Sequence, residues 1–391
     1  MLIVFAAFIQ TALAPLPDVP SRSEDIIVLA KTTAEAQRLL EACLVDHCPP
    51  PREIKAALVY ASRQMVDGNY AAARNTLLDS RRRNGRFDKD YPVEVSDLHR
   101  ALNRLSNLDG RQDSARISAV DATDALRAGS SPDDPAMLRQ RLMSGNQLAR
   151  EGRVYGASDI YNDVAATAHK SGEYGVEAQA LFNGAALYVT LASINPIYTQ
   201  TARRWIDRIE KRREPEFKAL RRDLDLMNVS VAALSVSPEA RAKIYSEAKP
   251  VESGQAILLA EPPLQAVSAG AELASKHGGS GVPEWADVGF WVRPDGSVGN
   301  LAIVKQSDPE PGSWLKTKLD AVRERRYAPL LRPANARGLY RVERFSMVHN
   351  FLPTTGTRVP RRSSQGEIDT MDLTPVYSAP STSTVAGARD G

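Results

Sequence analysis

The sequence predicts a multidomain chain of class α plus α+β, in which an array of helical hairpins is followed by a small β-β-α-β unit. Three observations predict it. Apolar residues recur at helical spacing from residue 31 to about 248, in segments dominated by Ala, Leu, Arg and Glu. Composition shifts after Ala248, where Pro250, Pro262-Pro263 and the stretch KHGGSGVP break the stripes. From Ala286 onward the period becomes that of a strand. A chain of 391 residues, 43% hydrophobic, holds two or three domains with buried cores and needs no stapling by metal or disulfides throughout.

Residues 1–14, MLIVFAAFIQTALA, are nearly all apolar and end in a small-x-small pattern, the signature of a signal peptide cut after Ala14. The stretch is too short to span a bilayer, so export to the periplasm without stable membrane insertion is expected. In that oxidising compartment Cys43 and Cys48, in EACLVDHCPPP, are expected to close a small structural loop that pins a helix end to the next turn; free buried thiols are the alternative. His47 between them lacks the further ligands that zinc would need. Segment 15–30 starts Pro-rich and extended. Its end, EDIIVLA at 24–30, reads as a short strand or as a segment available to pair with an edge strand.

The helices are expected over 31–45, 51–66, 70–84, 92–108, 112–128, 135–151, 155–171, 174–192, 198–210, 215–233 and 238–247. The breaks between them carry turn chemistry: Asp67-Gly68, Asn84-Gly85, Asp109-Gly110, GSSPDDP at 129–135, Glu151-Gly152 and Ser171-Gly172. Two of these breaks resemble tetratricopeptide turns. Gly152 precedes Tyr155, Tyr161 and the small residues Ala157 and Ala165, and Gly68 with Tyr70, Ala73 and Leu77 repeats the idea at altered spacing. The resemblance implies a solenoid of stacked hairpins over 31–248, with the glycines at close helix approaches, the tyrosines as knobs and a concave surface for a protein neighbour. A closed bundle is the alternative. Arg81-Arg82-Arg83 and Lys211-Arg212-Arg213 lie near helix ends, where positive charge complements the helix dipole.

After a linker over 249–283, Val288, Phe290 and Val292 share one face of a strand, Arg293-Pro294-Asp295-Gly296 reverses the chain, and Val298 to Val304 completes a hairpin. An amphipathic helix over 312–326 follows, with Trp314, Leu315, Leu319 and Val322 inward, and Pro329 stops it. A last strand over 338–352 places Tyr340, Val342 and the stem of Arg344 on one face. It needs either a bulge near Ser346 or cover on both faces. This order, with the helix ending in Arg326-Tyr327-Ala328-Pro329, resembles the C-terminal domain of the TonB energy-transducer family over residues 284–352. The resemblance implies recognition of an outer-membrane receptor segment by strand pairing. Residues 340–350 would be the pairing edge, with Tyr340, Arg341 and Glu343 as partner-binding candidates. The family's membrane anchor and long Pro-rich linker give way here to an expected cleavable signal and a helical domain, so the energy-transducer assignment is not copied wholesale. The bland alternative is a compact unit whose edge is simply covered.

The tail over 353–391, rich in Thr, Ser, Pro, Gly and Arg, is expected to be disordered. Enzyme signals are missing: GGSG at 278–281 has neither the spacing nor the context of a nucleotide loop, and no GxSxG elbow or acidic pair in an apolar run occurs. No catalytic residue, metal site or cofactor is assigned. A formal net charge of +3, from 50 basic and 47 acidic residues, gives no general attraction to nucleic acid. The function expected is that of a non-enzymatic periplasmic adaptor that recognises an envelope protein or peptide, such as an outer-membrane receptor. The alternatives are an envelope-associated scaffold without peptide recognition and a periplasmic hydrolase.

Overall fold

The computed structural model describes residues 32–234, 236–251, 256–262, 283–352 and 361–377. The expected signal peptide and the EDIIVLA segment lie outside them. Twelve α-helices fill the N-terminal part of the described chain: α1 (Thr33–Val45), α2 (Pro50–Val66), α3 (Tyr70–Asn84), α4 (Pro92–Leu108), α5 (Gln112–Gly129), α6 (Pro135–Arg150), α7 (Val154–Ser171), α8 (Tyr174–Ile194), α9 (Thr199–Glu210), α10 (Pro215–Ala219), α11 (Arg221–Ala233) and α12 (Pro238–Ser246). Helices consecutive in sequence pack on one another from α1 to α9. Their starts follow from local chemistry. Thr32 and Glu35 form a reciprocal capping box on α1, Asp134 caps α6, and prolines open α2, α4, α6 and α10. Cys43 and Cys48 are disulfide-bonded between α1 and α2, with Cα atoms 5.1 Å apart.

The structure brings out a regularity that a search for tetratricopeptide spacing missed. Gly68, Gly110 and Gly152 fall at equal intervals along the chain, each with positive φ, and each ends the first helix of a hairpin. The residue after each glycine donates its N–H back into the helix: Asn69 to the Gln64 carbonyl, Arg111 to Ser106 and Arg153 to Leu148, at 2.7–2.8 Å. The same Schellman closure recurs at Gly172, which ends α7 with the Glu173 N–H bonded to the Ala168 carbonyl at 2.9 Å.

The C-terminal part is an antiparallel sheet in the order β3-β2-β5-β6, formed by β2 (Glu284–Val292), β3 (Val298–Gln306), β5 (Leu339–Leu352) and β6 (Arg361–Asp372). The helix α13 (Ser313–Arg323) buries Trp314, Leu315 and Val322 against one face. A two-stranded ribbon, β1 (Leu258–Ala260) with β4 (Arg326–Tyr327), extends the same core. Two expectations are therefore corrected. Part of the segment read as linker supplies β1, because its Ile257, Leu258 and Leu259 are apolar enough to be buried beside α11. Part of the tail read as disordered supplies β6, which buries Ile368 and Met371 once β5 offers it a partner.

One sheet face packs with α11, α13 and the β1 segment; the other joins α2–α5 in a core that includes Trp285, Val342, Met371 and Leu373. A third core is confined to α6–α11. No helix among the described residues is long and apolar enough to cross a membrane.

Candidate interaction surface

The strand β5, expected to offer a free edge, is interior. It pairs with β2 along Leu339–Met347 and with β6 along Glu343–Leu352. Its register with β2 runs unbroken past Ser346, so the pattern of apolar residues on both sides reflects cover on both faces rather than a bulge. The correction extends to the side chains. Arg341 and Glu343 are buried, and Tyr340 is half-buried, with its ring 5.2 Å from that of Trp291.

Glu343 and Arg341 belong to a line of charges beneath the sheet. Lys318 donates to Glu261 at 2.6 Å, Arg325 bridges Glu261 at 3.1 Å and Glu343 at 2.7 Å, and Arg341 bridges Glu343 at 3.2 Å and Asp372 at 3.0 Å. Three cations meet three carboxylates, and the half-exposed Asp372 closes the row toward solvent. Burial alone would raise the Glu343 carboxyl, but the Arg325 and Arg341 guanidiniums outweigh it and hold it down to about 2. Burial lowers the Lys318 ammonium, against the pull of Glu261.

On the opposite face Arg344 joins the sheet to the helices. Its side chain and that of Asp287 are both 0% exposed and meet at 2.6 and 2.9 Å, one residue pair across from β5 to β2. The remaining guanidinium protons go to the carbonyls of Met65 and Val66 at the end of α2, each at 2.7 Å, and to the Tyr70 hydroxyl at 3.3 Å. These carbonyls lie at the C-terminal end of α2, where Met65 also accepts the Gly68 N–H at 2.9 Å, and the cation complements the negative end of the helix. The guanidinium stacks 3.7 Å from the Trp285 ring centroid, and the Tyr377 hydroxyl donates to Asp287 at 2.8 Å. Further along, Arg104 of α4 grips Asp369 of β6 with two bonds at 2.7 and 2.8 Å, and Phe351 donates its N–H to the Gly110 carbonyl at 2.9 Å.

Of the residues singled out for helix packing, Tyr70 and Tyr161 are buried in the helical cores, Tyr161 against Gly145 of α6, whereas the two glycines and Tyr155 take other roles. A Cβ on Gly68 would stand 2.5 Å from Trp285 Cζ2, so its close approach is to the sheet and not to a neighbouring helix. Gly152 has nothing within 4 Å and serves only its positive φ. Tyr70 is buried with its hydroxyl 3.3 Å from Arg344, and Tyr161 is buried with its hydroxyl donating to Asn146 at 2.7 Å. Tyr155 is 78% exposed and is no packing knob, because it lies on the outer side of the first turn of α7.

The margin that the described residues leave open is β3. It pairs on one side with β2, and its other long side has no strand partner among the described residues beyond the Ser297–Arg326 bridge at its start. Ile303 and Val304, each 43% exposed, are the exposed large apolar side chains on the strands, with Lys305 beside them. The other margin, β6, shows polar residues and is tied to α4 through Asp369. Arg293, in the turn before β3, lies against Gly299. In the sequence Ile303 and Val304 mark only the second strand of the hairpin. The signal that would have found them is their adjacency, since two neighbours on one strand cannot share a face. The chain matches no protein-family model, and no curated protein or solved structure matches it.

Proposed function

We propose that this protein is a non-enzymatic adaptor of the cell envelope that binds an extended segment of a partner along the open margin of β3. The observation that carries the reading is the pair of exposed apolar side chains, Ile303 and Val304, on a strand with one side unpaired among the described residues. Unpaired strand margins are usually blunted by charge, proline or cover, and here Lys305 is the single charged residue within that exposed stretch. Main-chain bonds would supply affinity and the two aliphatic side chains a preference for β-branched residues. On this reading the helices form a hairpin solenoid and the sheet is a variant of the TonB C-terminal domain, in which β6 covers the margin on β5. The envelope setting rests on the signal-like N-terminus and on a Cys43–Cys48 bond of the kind that oxidising compartments permit. A receptor of the outer membrane is the partner class that the family resemblance favours.

The test is a photo-crosslinking residue placed at position 304 of the intact chain in cells. The reading expects adducts confined to one short, extended stretch of one envelope protein, lost on Ile303→Lys. Adducts scattered over many proteins, or the same pattern from position 348 on covered β5, would refute it.

A further inference from the structure

We propose that the turn between α8 and α9 is a docking tip for a membrane surface rich in anionic lipid. This goes beyond the β3 reading and uses none of its residues. The tip runs from Ile194, the last residue of α8, through the short turn Pro196–Tyr198 to the start of α9 at Thr199. Its shape is fixed from within. The Asn195 side chain accepts the Ile197 N–H at 3.1 Å, and the Tyr198 ring folds inward to lie 6.1 Å from that of Tyr188, which stacks on Trp205. With Tyr198 drawn in, Ile197 is held out, 75% exposed, beside the exposed Pro196 and with Ile194 42% exposed. Aliphatic side chains held in water by an ordered turn contribute nothing to the fold and mark a contact surface.

Tyr155 stands at the same end of the array. Arg208 of α9 donates to Asn162 of α7 at 2.7 Å, and the two residues lie at similar depths in their helices, so α7 and α9 begin nearly level. Exposed Tyr155 is in the first turn of α7, and a ring with a polar tip is the side chain that settles at the headgroup level of a bilayer. The sheet closes over the hairpin turns at Gly68 and Gly110, whereas Gly152, before α7, has nothing within 4 Å. Charge agrees with this. No acidic residue occurs between Glu177 and Asp207, and Arg203 and Arg204 are exposed one turn into α9. At the α6–α7 turn the exposed Arg150 and Arg153 outnumber Glu151. Aliphatic tip, tyrosine and arginines thus follow one another in the order of acyl chain, interface and phosphate. A narrow projecting turn fits a deformable lipid surface better than a rigid protein face, which is why lipid is the occupant favoured.

The experiment is flotation of the intact chain with vesicles of phosphatidylglycerol and phosphatidylcholine in equal parts, and with vesicles of phosphatidylcholine alone. The proposal expects flotation with the mixed vesicles only. Binding should be about tenfold weaker for Ile194→Ser/Ile197→Ser and for Arg203→Gln/Arg204→Gln, and unchanged for Val45→Ser, whose side chain is exposed in the α1–α2 turn. All these side chains are exposed, and circular dichroism checks that each variant keeps its fold. Independently, Ile197→Trp should shift its emission to the blue on mixed vesicles, while Val45→Trp should not. No flotation with either composition overturns the proposal, and so does equal flotation of Ile194→Ser/Ile197→Ser. Equal flotation with both compositions also overturns it, because the arginines then play no part. A photo-crosslinking residue at position 197 whose adducts in cells fall on one protein and not on lipid would overturn it too, assigning the tip to a protein neighbour. Each of these failures leaves the β3 reading standing, since no residue of β3 is altered.

Discussion

Arg344 illustrates how one side chain can decide the arrangement of a chain. A guanidinium with no exposure is tolerable only because every direction of its fork is answered, by Asp287, by the Met65 and Val66 carbonyls and by the Trp285 face. Arg344→Met leaves the Asp287 carboxylate buried with Tyr377 as its remaining partner, and urea denaturation should show a loss of about 3–5 kcal/mol. Adding Asp287→Leu to that variant should restore most of it; a loss below about 1 kcal/mol in the single variant would deny the residue its role. Glu343 gives a pH signature. Its folded-state carboxyl lies near 2 against an ordinary 4.5, so its contribution is complete above 4.5 and is lost as pH falls from there toward 2. Glu343→Gln should flatten that part of the stability profile, and an unchanged slope would contradict the assignment. The same residues explain what the sequence concealed. Arg341 and Glu343 read as partner-facing because the charges that neutralise them, Arg325 and Asp372, are distant in sequence.

At the scale of elements, the hairpin turns connect the helices to the sheet. Gly110 has positive φ, and a Cβ there would stand within a bond-like distance of the His349 carbonyl oxygen; Gly152 has the same φ and open space. Gly152→Ala should therefore lose only the left-handed strain, about 1–2 kcal/mol, while Gly110→Ala should lose clearly more, because β5 must also move. Chemical denaturation of the pair settles it, and equal losses would mean that the α4–α5 turn does not bear on the sheet. Helix positions up to residue 247 were legible because apolar period, capping residues and Gly turns agreed; each spans the expected range within two residues, apart from 215–233, which Leu220 divides into α10 and α11, whereas the helix expected over 312–326 ends at Arg323 because Arg326-Tyr327 pair with β1 as β4. The hairpin at 293–296 was equally legible, with Asp295 accepting from the Ser297 N–H and Gly296 at positive φ. The strand β6 was not. RRSSQGEIDTMD has no alternation and only Ile368 and Met371 to bury, so its pairing depends on β5 and leaves no local signal.

For the whole molecule, the sheet and helices α2–α5 share one apolar core, and a separate linker-joined domain is not what the contacts describe. Cutting at residue 284 would expose Trp285 and strand the Arg344–Asp287 pair. Calorimetry of the intact chain should therefore show the sheet and α2–α5 unfolding in one transition, and residues 284–352 alone should remain unfolded. The inner residues of α2–α5 are spent on the sheet, and the margin left without a strand partner among the described residues is the one that carries Ile303 and Val304.

The most direct test of that account is the hydrogen-exchange footprint of the intact chain bound to its crosslinked partner segment. The account predicts slowed exchange along Val298–Gln306 with Leu339–Leu352 and Arg361–Asp372 unchanged. Slowed exchange along β5 together with faster exchange in β6 would contradict it, because the partner would then have displaced β6 and left β3 untouched.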